Sequence, residues 1–215
     1  MAGRATLPDA GAATRAIPSV RRVFDLLLPA RCALCRRSGT GLCEPCATSL
    51  PPAPDLAAPP GLVSCASLLR YDGPTRELVA AIKFHRHRDA VPLLGRAMAR
   101  LVDDPIDLVT WAPTSAARRR DRGYDQAELL ARAVARALRR PCRDTLRRTS
   151  GGAQTGRDRE QRLSGPAFRP LRTVPGAVLL VDDVRTTGAT LCAAADVLTE
   201  AGAARVSGLT LAVTP

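Results

Sequence analysis

The run Val178-Leu179-Leu180-Val181 leads directly into Asp182-Asp183, and the turn Arg185-Thr186-Thr187-Gly188-Ala189-Thr190 follows. The apolar run predicts a buried strand. Its two carboxylates fall at the C-terminal end, where open α/β sheets bind ligands. Leu191–Glu200 predicts a helix behind the turn, so backbone amides and the positive end of the helix dipole face a common point. A phosphate fits such a seat. Gly188 permits the tight backbone, Ala189 leads into the helix, and Thr186, Thr187 and Thr190 add hydroxyl donors. Asp182 and Asp183, just outside the seat, suit diol hydroxyls or a hydrated Mg²⁺. Phosphate and diol a short reach apart suit a ribose 5-phosphate. The plainer reading is a buried strand with a polar turn, since Asp and Thr cap helices routinely.

Cys32-Ala33-Leu34-Cys35 and Cys43-Glu44-Pro45-Cys46 form two CxxC pairs near the N-terminus. Each CxxC aims two thiolates at one centre, and four thiolates at about 2.3 Å satisfy a tetrahedral Zn²⁺. Gly39 and Gly41 let the short connection turn back. A segment this small buries little by itself, so metal binding would supply most of its folding energy. Two disulfides are the competing reading, and the absence of a secretory pattern weighs against them. With all four positions filled by protein, such a Zn²⁺ site is structural. Cys65, Cys142 and Cys192 have no matching spacing and are expected as small buried residues.

At 215 residues and 46% apolar content, the chain has room for one medium α/β domain plus a small module. Its longest apolar runs fall well short of the roughly 18 residues of a membrane span, so none is expected. Leu26-Leu27-Leu28 is too short for a signal peptide and Pro29 ends it, so a cytoplasmic location is expected. The formal net charge is +12, and Lys83 is the sole lysine among 32 basic residues. Between Arg118 and Arg172 stand 16 Arg against 6 Asp or Glu, which places nearly all of the net charge in a quarter of the chain. Such a block meets a polyanion, either nucleic acid or a pyrophosphate, unless it is simply a solvated surface.

The expected organisation is a disordered stretch over residues 1–25, a zinc-binding module over 26–50, a proline-rich linker over 51–60 and the main domain over 61–215. Five prolines in residues 51–60 make the linker stiff and extended. The pattern predicts strands over Leu62–Tyr71, Asp107–Trp111, Ala177–Val181 and Val206–Val213. It predicts helices over Pro74–Phe84, Ala90–Val102, Asp125–Arg140 and Thr190–Gly202. Thr149–Gly165 is polar and Gly-containing and is expected to be a mobile loop. Alternating strands and helices imply a doubly wound, mostly parallel sheet. His85 and His87 are expected as exposed loop residues, and Trp111 as a core residue.

The segment Val178–Thr190 resembles the phosphoribosyl-pyrophosphate signature of type I phosphoribosyltransferases. Arg185 stands where that signature has an apolar residue. Over about Leu26 to Val213 the chain resembles the ComF family, phosphoribosyltransferase-like proteins associated with DNA uptake in competent bacteria. The resemblance rests on Leu28-Pro29-Ala30-Arg31-Cys32 with the two CxxC pairs, and on Tyr71-Asp72-Gly73-Pro74 through Ile82-Lys83-Phe84. It rests also on Arg118-Arg119-Arg120-Asp121-Arg122-Gly123-Tyr124-Asp125-Gln126-Ala127-Glu128-Leu129-Leu130 and on Gln154-Thr155-Gly156 with Arg159 and Arg162. Tyr124-Asp125 replaces the family's Phe-Asn, Trp111 replaces a small apolar residue, and the loop after Arg162 is shortened.

The resemblance implies a type I phosphoribosyltransferase fold that binds phosphoribosyl pyrophosphate with Mg²⁺. Asp182 and Asp183 would be catalytic, and Asp182, Asp183, Arg185, Thr186, Thr187, Gly188, Ala189 and Thr190 would hold the ribose phosphate. Thr114–Arg120 would form the pyrophosphate loop, with Arg118, Arg119, Arg120 and Arg122 as candidate contacts, since a guanidinium donates two parallel hydrogen bonds to phosphate. Gln154, Arg159 and Arg162 would sit on a lid that excludes water. Two functions are compatible with this: a glycosyltransferase of the phosphoribosyl type with an unnamed acceptor, or a non-catalytic scaffold that senses the ligand and binds single-stranded DNA or a DNA translocase.

Overall fold

The computed structural model describes residues 30–84, 88–149 and 166–215. In chain order its elements are α1 (Glu44–Thr48), β1 (Ser64–Arg70), α2 (Gly73–Phe84), α3 (Val91–Ala99), β2 (Leu108–Trp111), α4 (Ala116–Arg122), α5 (Gln126–Leu138), β3 (Leu146–Thr149), β4 (Ala167–Pro170), β5 (Gly176–Arg185), α6 (Ala189–Glu200) and β6 (Ala203–Val213). The main sheet has the order β1-β6-β5-β2, and all of its pairings are parallel.

β5 shows why the sheet is wound on both faces. Leu179 and Val181 point into one layer, with Leu78, Ile82, Met98, Leu130 and Val134. Val178 and Leu180 point into the other, with Leu191, Ala194 and Leu198 of α6. A strand covered on both faces has no polar side to show, which is why its sequence is an unbroken apolar run. The expected doubly wound, mostly parallel α/β class is the one observed. β5 extends to Arg185, so Asp182, Val184 and Arg185 are still paired with β6.

Three local features depart from expectation. Residues expected to form a pyrophosphate loop instead form α4, because the Ser115 hydroxyl caps it by accepting from Arg118 N–H at 3.3 Å and Gly123, at φ 74°, ends it. The antiparallel pair β3–β4 was not anticipated: its strands, Leu-Arg-Arg-Thr and Ala-Phe-Arg-Pro, are short and charged. They are held by burial of Leu146 and Phe168 against the α6 layer. Gly41 lies at a bend, as its place in the connection suggests, but it also meets a close approach: a Cβ there would lie 2.1 Å from the Asp89 carbonyl carbon, so the cysteine segment packs backbone to backbone on the main domain.

Cys32, Ala33, Leu42, Cys43 and Leu50 accordingly join the core on the α2–α3–α5 side of the sheet. Cys65, Cys142 and Cys192 are half-buried, while Trp111 is buried at the end of β2. Residues 1–25, His85, His87, and the loop carrying Gln154, Arg159 and Arg162 lie outside the described residues.

Candidate functional site

A polar cavity of about 310 Å³ opens at the C-terminal ends of β2 and β5. Asp182, Asp183 and Val184 form one side. Pro113 and Thr114 come from the β2–α4 connection, Arg118 from α4, Asp125 and Gln126 from the start of α5, Lys83 from the end of α2, Arg148 from β3 and Thr190 from α6. The parallel sheet accounts for this convergence, since all its strands end on the same side.

The acidic side is held by one close ion pair, Lys83 Nζ to Asp183 Oδ2 at 2.6 Å, between half-buried groups. Asp182 Oδ1 accepts from the Asp183 N–H at 2.7 Å. Burial holds the Asp182 carboxyl well above the usual carboxylate range, reinforced by the charge of Asp183 and opposed by that N–H and by Lys83. Two adjacent carboxylates at a water-reaching cavity are a hard oxygen donor set that suits a hydrated Mg²⁺.

Asp125 explains one departure from the resembled motif. Its Oδ2 accepts from Thr114 N–H at 2.7 Å and its Oδ1 from Ala127 N–H at 3.1 Å. One carboxylate therefore caps α5 and staples the β2–α4 connection, where an Asn offers a single acceptor oxygen. Burial pushes this carboxyl up, against the N–H groups of Thr114, Glu128 and Ala127. Tyr124 explains a second departure. Its hydroxyl donates to the Ile82 carbonyl and lies 3.2 Å from that of Lys83, which ties the end of α2 to the start of α5. The Arg88 guanidinium covers the Tyr124 ring at 4.0 Å.

The basic side carries Arg118 and Arg148. Burial lowers the Arg148 pKa, and the nearby Arg118 adds to the effect. Arg148 follows the buried Leu146 by two residues on β3, which puts both on one face of the strand. Helical spacing separates the other arginines of α4. Arg119 turns out to Glu128 at 3.5 Å, and Arg120 is exposed. The backbone of Arg122 ends the helix.

The structure thus brings Asp182, Asp183, Thr190 and Arg118 to one cavity. Thr186 and Thr187 are exposed beside it, Thr187 Oγ1 accepting from Ala189 N–H at 3.4 Å, and Gly188 is buried at φ 83°. Arg185 does not line the cavity; its guanidinium donates to the Ala57 carbonyl at 2.7 Å. Sequence reasoning missed Lys83, Gln126 and Arg148. Lys83 did carry a signal, as the one lysine in a chain that otherwise uses arginine. Arg148 was hidden among sixteen arginines.

At the second site, the sulfurs of Cys32, Cys35, Cys43 and Cys46 lie within 4.8 Å of one another. Four sulfurs around a tetrahedral zinc stand about 3.8 Å apart, so the donors fit one thiolate-preferring ion such as zinc. Burial alone would raise the Cys32 thiol, but the N–H groups of Cys43, Cys35 and Leu34 outweigh it and bring its pKa down to about 6. Cys46 is pushed up to about 12, first by its hydrogen bond with Cys43 and then by burial.

Fold and site together define a doubly wound α/β protein with a polar cavity lined by aspartates, arginines and a lysine at the strand ends, and an attached four-cysteine module. No family model matches the chain. The DNA utilization protein YhgH of Salmonella typhi is 31% identical over 196 residues, which cover 81% of this chain and 85% of that protein. The competence protein ComFC of Bacillus subtilis is 29% identical over 153 residues, 67% of this chain. That match spans 62% of ComFC, less than two thirds of its length. The chain belongs to the ComF family. Among solved structures, a glutamine phosphoribosylpyrophosphate amidotransferase from B. subtilis aligns over 57% of this chain and 26% of its own, at 24% identity and a TM-score of 0.42. The allosteric regulatory enzyme of purine biosynthesis aligns over 58% and 26%, at 22% identity and a TM-score of 0.42. Both similarities are too low to carry an argument about ligands.

Proposed function

We propose that the cavity binds phosphoribosyl pyrophosphate and that the chain is a phosphoribosyltransferase of the glycosyltransferase class. The carrying observation is the convergence of Asp182, Asp183, Thr190 and Arg118 on one cavity, from parts of the sequence more than sixty residues apart. The ribose 5-phosphate occupies the turn before α6, its hydroxyls meet Asp182 and Asp183, and the diphosphate lies toward Thr114, Arg118 and Arg148. Mg²⁺, held through water by the two aspartates, supplies charge neutralisation to the diphosphate. In the transfer, an acceptor nucleophile bonds to C1 while the bond from C1 to the diphosphate oxygen breaks, and the diphosphate leaves with that electron pair. The ion at the four cysteines is zinc in this reading, and its role is structural.

Calorimetry with phosphoribosyl pyrophosphate and Mg²⁺ tests the reading. Asp182→Ala/Asp183→Ala is expected to weaken binding by about 100-fold, since each loses a hydrogen bond from a charged group. Equal affinity of variant and native chain would refute the assignment. Release of pyrophosphate over a panel of acceptors then tests transfer.

A second reading is favoured by the names of the two relatives, one a competence protein and the other a DNA utilization protein. In it the chain is a non-catalytic scaffold in DNA uptake, binding single-stranded DNA or a translocase through its arginine-rich surface. Ligand binding without turnover, together with DNA affinity that falls steeply with salt, supports this reading.

A further inference from the structure

The proline-rich segment after the cysteine module is laced to two different elements before it enters β1. Residues 51–53 run antiparallel to the end of that edge strand, with Arg70 N–H donating to the Pro51 carbonyl at 2.9 Å and Ala53 N–H to the Leu68 carbonyl at 3.2 Å. Residues 57–61 then descend the flank of α6. Pro59 is buried against the start of that helix, and a Cβ on Gly188 would lie 3.0 Å from its Cγ. Gly61 meets Asp196 further along, where a Cβ would lie 3.1 Å from Oδ1. Gly188 is therefore required twice, by its left-handed backbone and by the ring pressed on it.

Arg185 joins this segment to the sheet. Its Nη2 donates to the Ala57 carbonyl at 2.7 Å, and its Nε lies 3.9 Å from the position of a Gly188 Cβ. The same guanidinium faces Cys65 of β1: burial raises that thiol, and Arg185 pulls it back. An apolar residue, which the resembled signature has here, offers no donor to a carbonyl.

We propose that residues 57–59 are a strap that holds the Thr186–Gly188 turn in its ligand-binding shape, with Arg185 as the positioning residue that latches it. The proposal deepens the ribose-phosphate reading of that turn and rests on it. It also gives the cysteine module a route to the cavity. Leu50, the residue just before the proline-rich segment that leads to the strap, is buried in the core that the module shares with the main domain.

The test uses the full chain, with hydrogen–deuterium exchange and calorimetric titration of ribose 5-phosphate. Arg185→Val is expected to speed exchange in peptides covering residues 51–61 and 186–192 together, to leave β6 unchanged, and to weaken ribose 5-phosphate by about ten-fold, a typical coupling between sites. Pro59→Gly, which spares the guanidinium, is expected to act in the same direction. Unchanged exchange at 186–192 in both variants overturns the strap. Loss of affinity in Arg185→Val with exchange unaltered also overturns it, since Arg185 would then touch the ligand itself. If the native chain binds no ribose 5-phosphate, the ribose-phosphate reading fails by that result, and the exchange arm alone decides the strap.

Discussion

The four-cysteine module and the cavity are built in opposite ways. The module takes its four sulfurs from fifteen consecutive residues, Cys32 to Cys46, and two tight knuckles bring them within 4.8 Å. The cavity takes its side chains from Lys83 to Thr190, across three helix ends, the short α4, two strand ends, a connection and a separate two-stranded pair. Local spacing specifies the first kind of site. The second exists only when a sheet has assembled, so its members can be sensitive to substitutions made far away in the chain.

The largest expected effect breaks the module. Cys32→Ser, or removal of metal by a strong chelator, is expected to unfold it, because metal binding supplies on the order of 10 kcal/mol to sites of this size. Since Leu42 and Leu50 share the main core, the thermal transition of the whole chain should fall as well. Metal analysis and calorimetry check both points. An untouched transition would mean that the module folds without help from the ion.

A smaller effect is expected in the cavity. Lys83→Ala removes the cation paired with Asp183 and leaves the anionic ligand facing Asp182, Asp183 and Asp125. Affinity for phosphoribosyl pyrophosphate should drop about ten-fold. Arg119→Ala, an exposed residue paired only loosely with Glu128, should change it by less than about two-fold. Equal losses in the two variants would make the cavity a general basic surface instead of a constructed site.

The smallest effect concerns stability and pH. The Asp182 carboxyl is raised in the folded chain by burial first and then by Asp183. The folded state therefore binds this proton more tightly than the unfolded state does. The charged form costs stability above the folded pKa, and that cost shrinks as pH falls below the folded pKa and is gone below the unfolded one. Asp182→Asn should thus raise the free energy of unfolding at neutral pH by on the order of 1 kcal/mol, seen as a higher unfolding midpoint. The advantage should shrink in acid, which thermal scans across pH would show.

The sequence made much of this legible where a pattern was local or strong. The β5 run, the amphipathic α5 and the CxxC pairs each announced themselves, because burial on both faces, a 3.6-residue period and knuckle spacing leave clear marks. α4 reads as a loop in the sequence because its five charged residues leave no apolar stripe; its caps, Ser115 and Gly123, are the available signal. β3 and β4 were missed because each is four residues long and buries little, and Arg148 was lost with them. Arg185 stood out as a departure, but its partner Ala57 lies 128 residues away, and nothing in either neighbourhood names the other.

By itself the sequence determined the class of sheet, the cluster of four cysteines and the pair of carboxylates at a strand end, since each depends on residues adjacent in the chain. Only the tertiary structure decided which of the basic residues face the cavity, that Lys83 pairs with Asp183, and that a proline-rich segment is latched to the turn before α6. Those contacts join residues far apart in sequence. They form because a parallel sheet brings its strand ends to one side and a shared core fixes what packs around them.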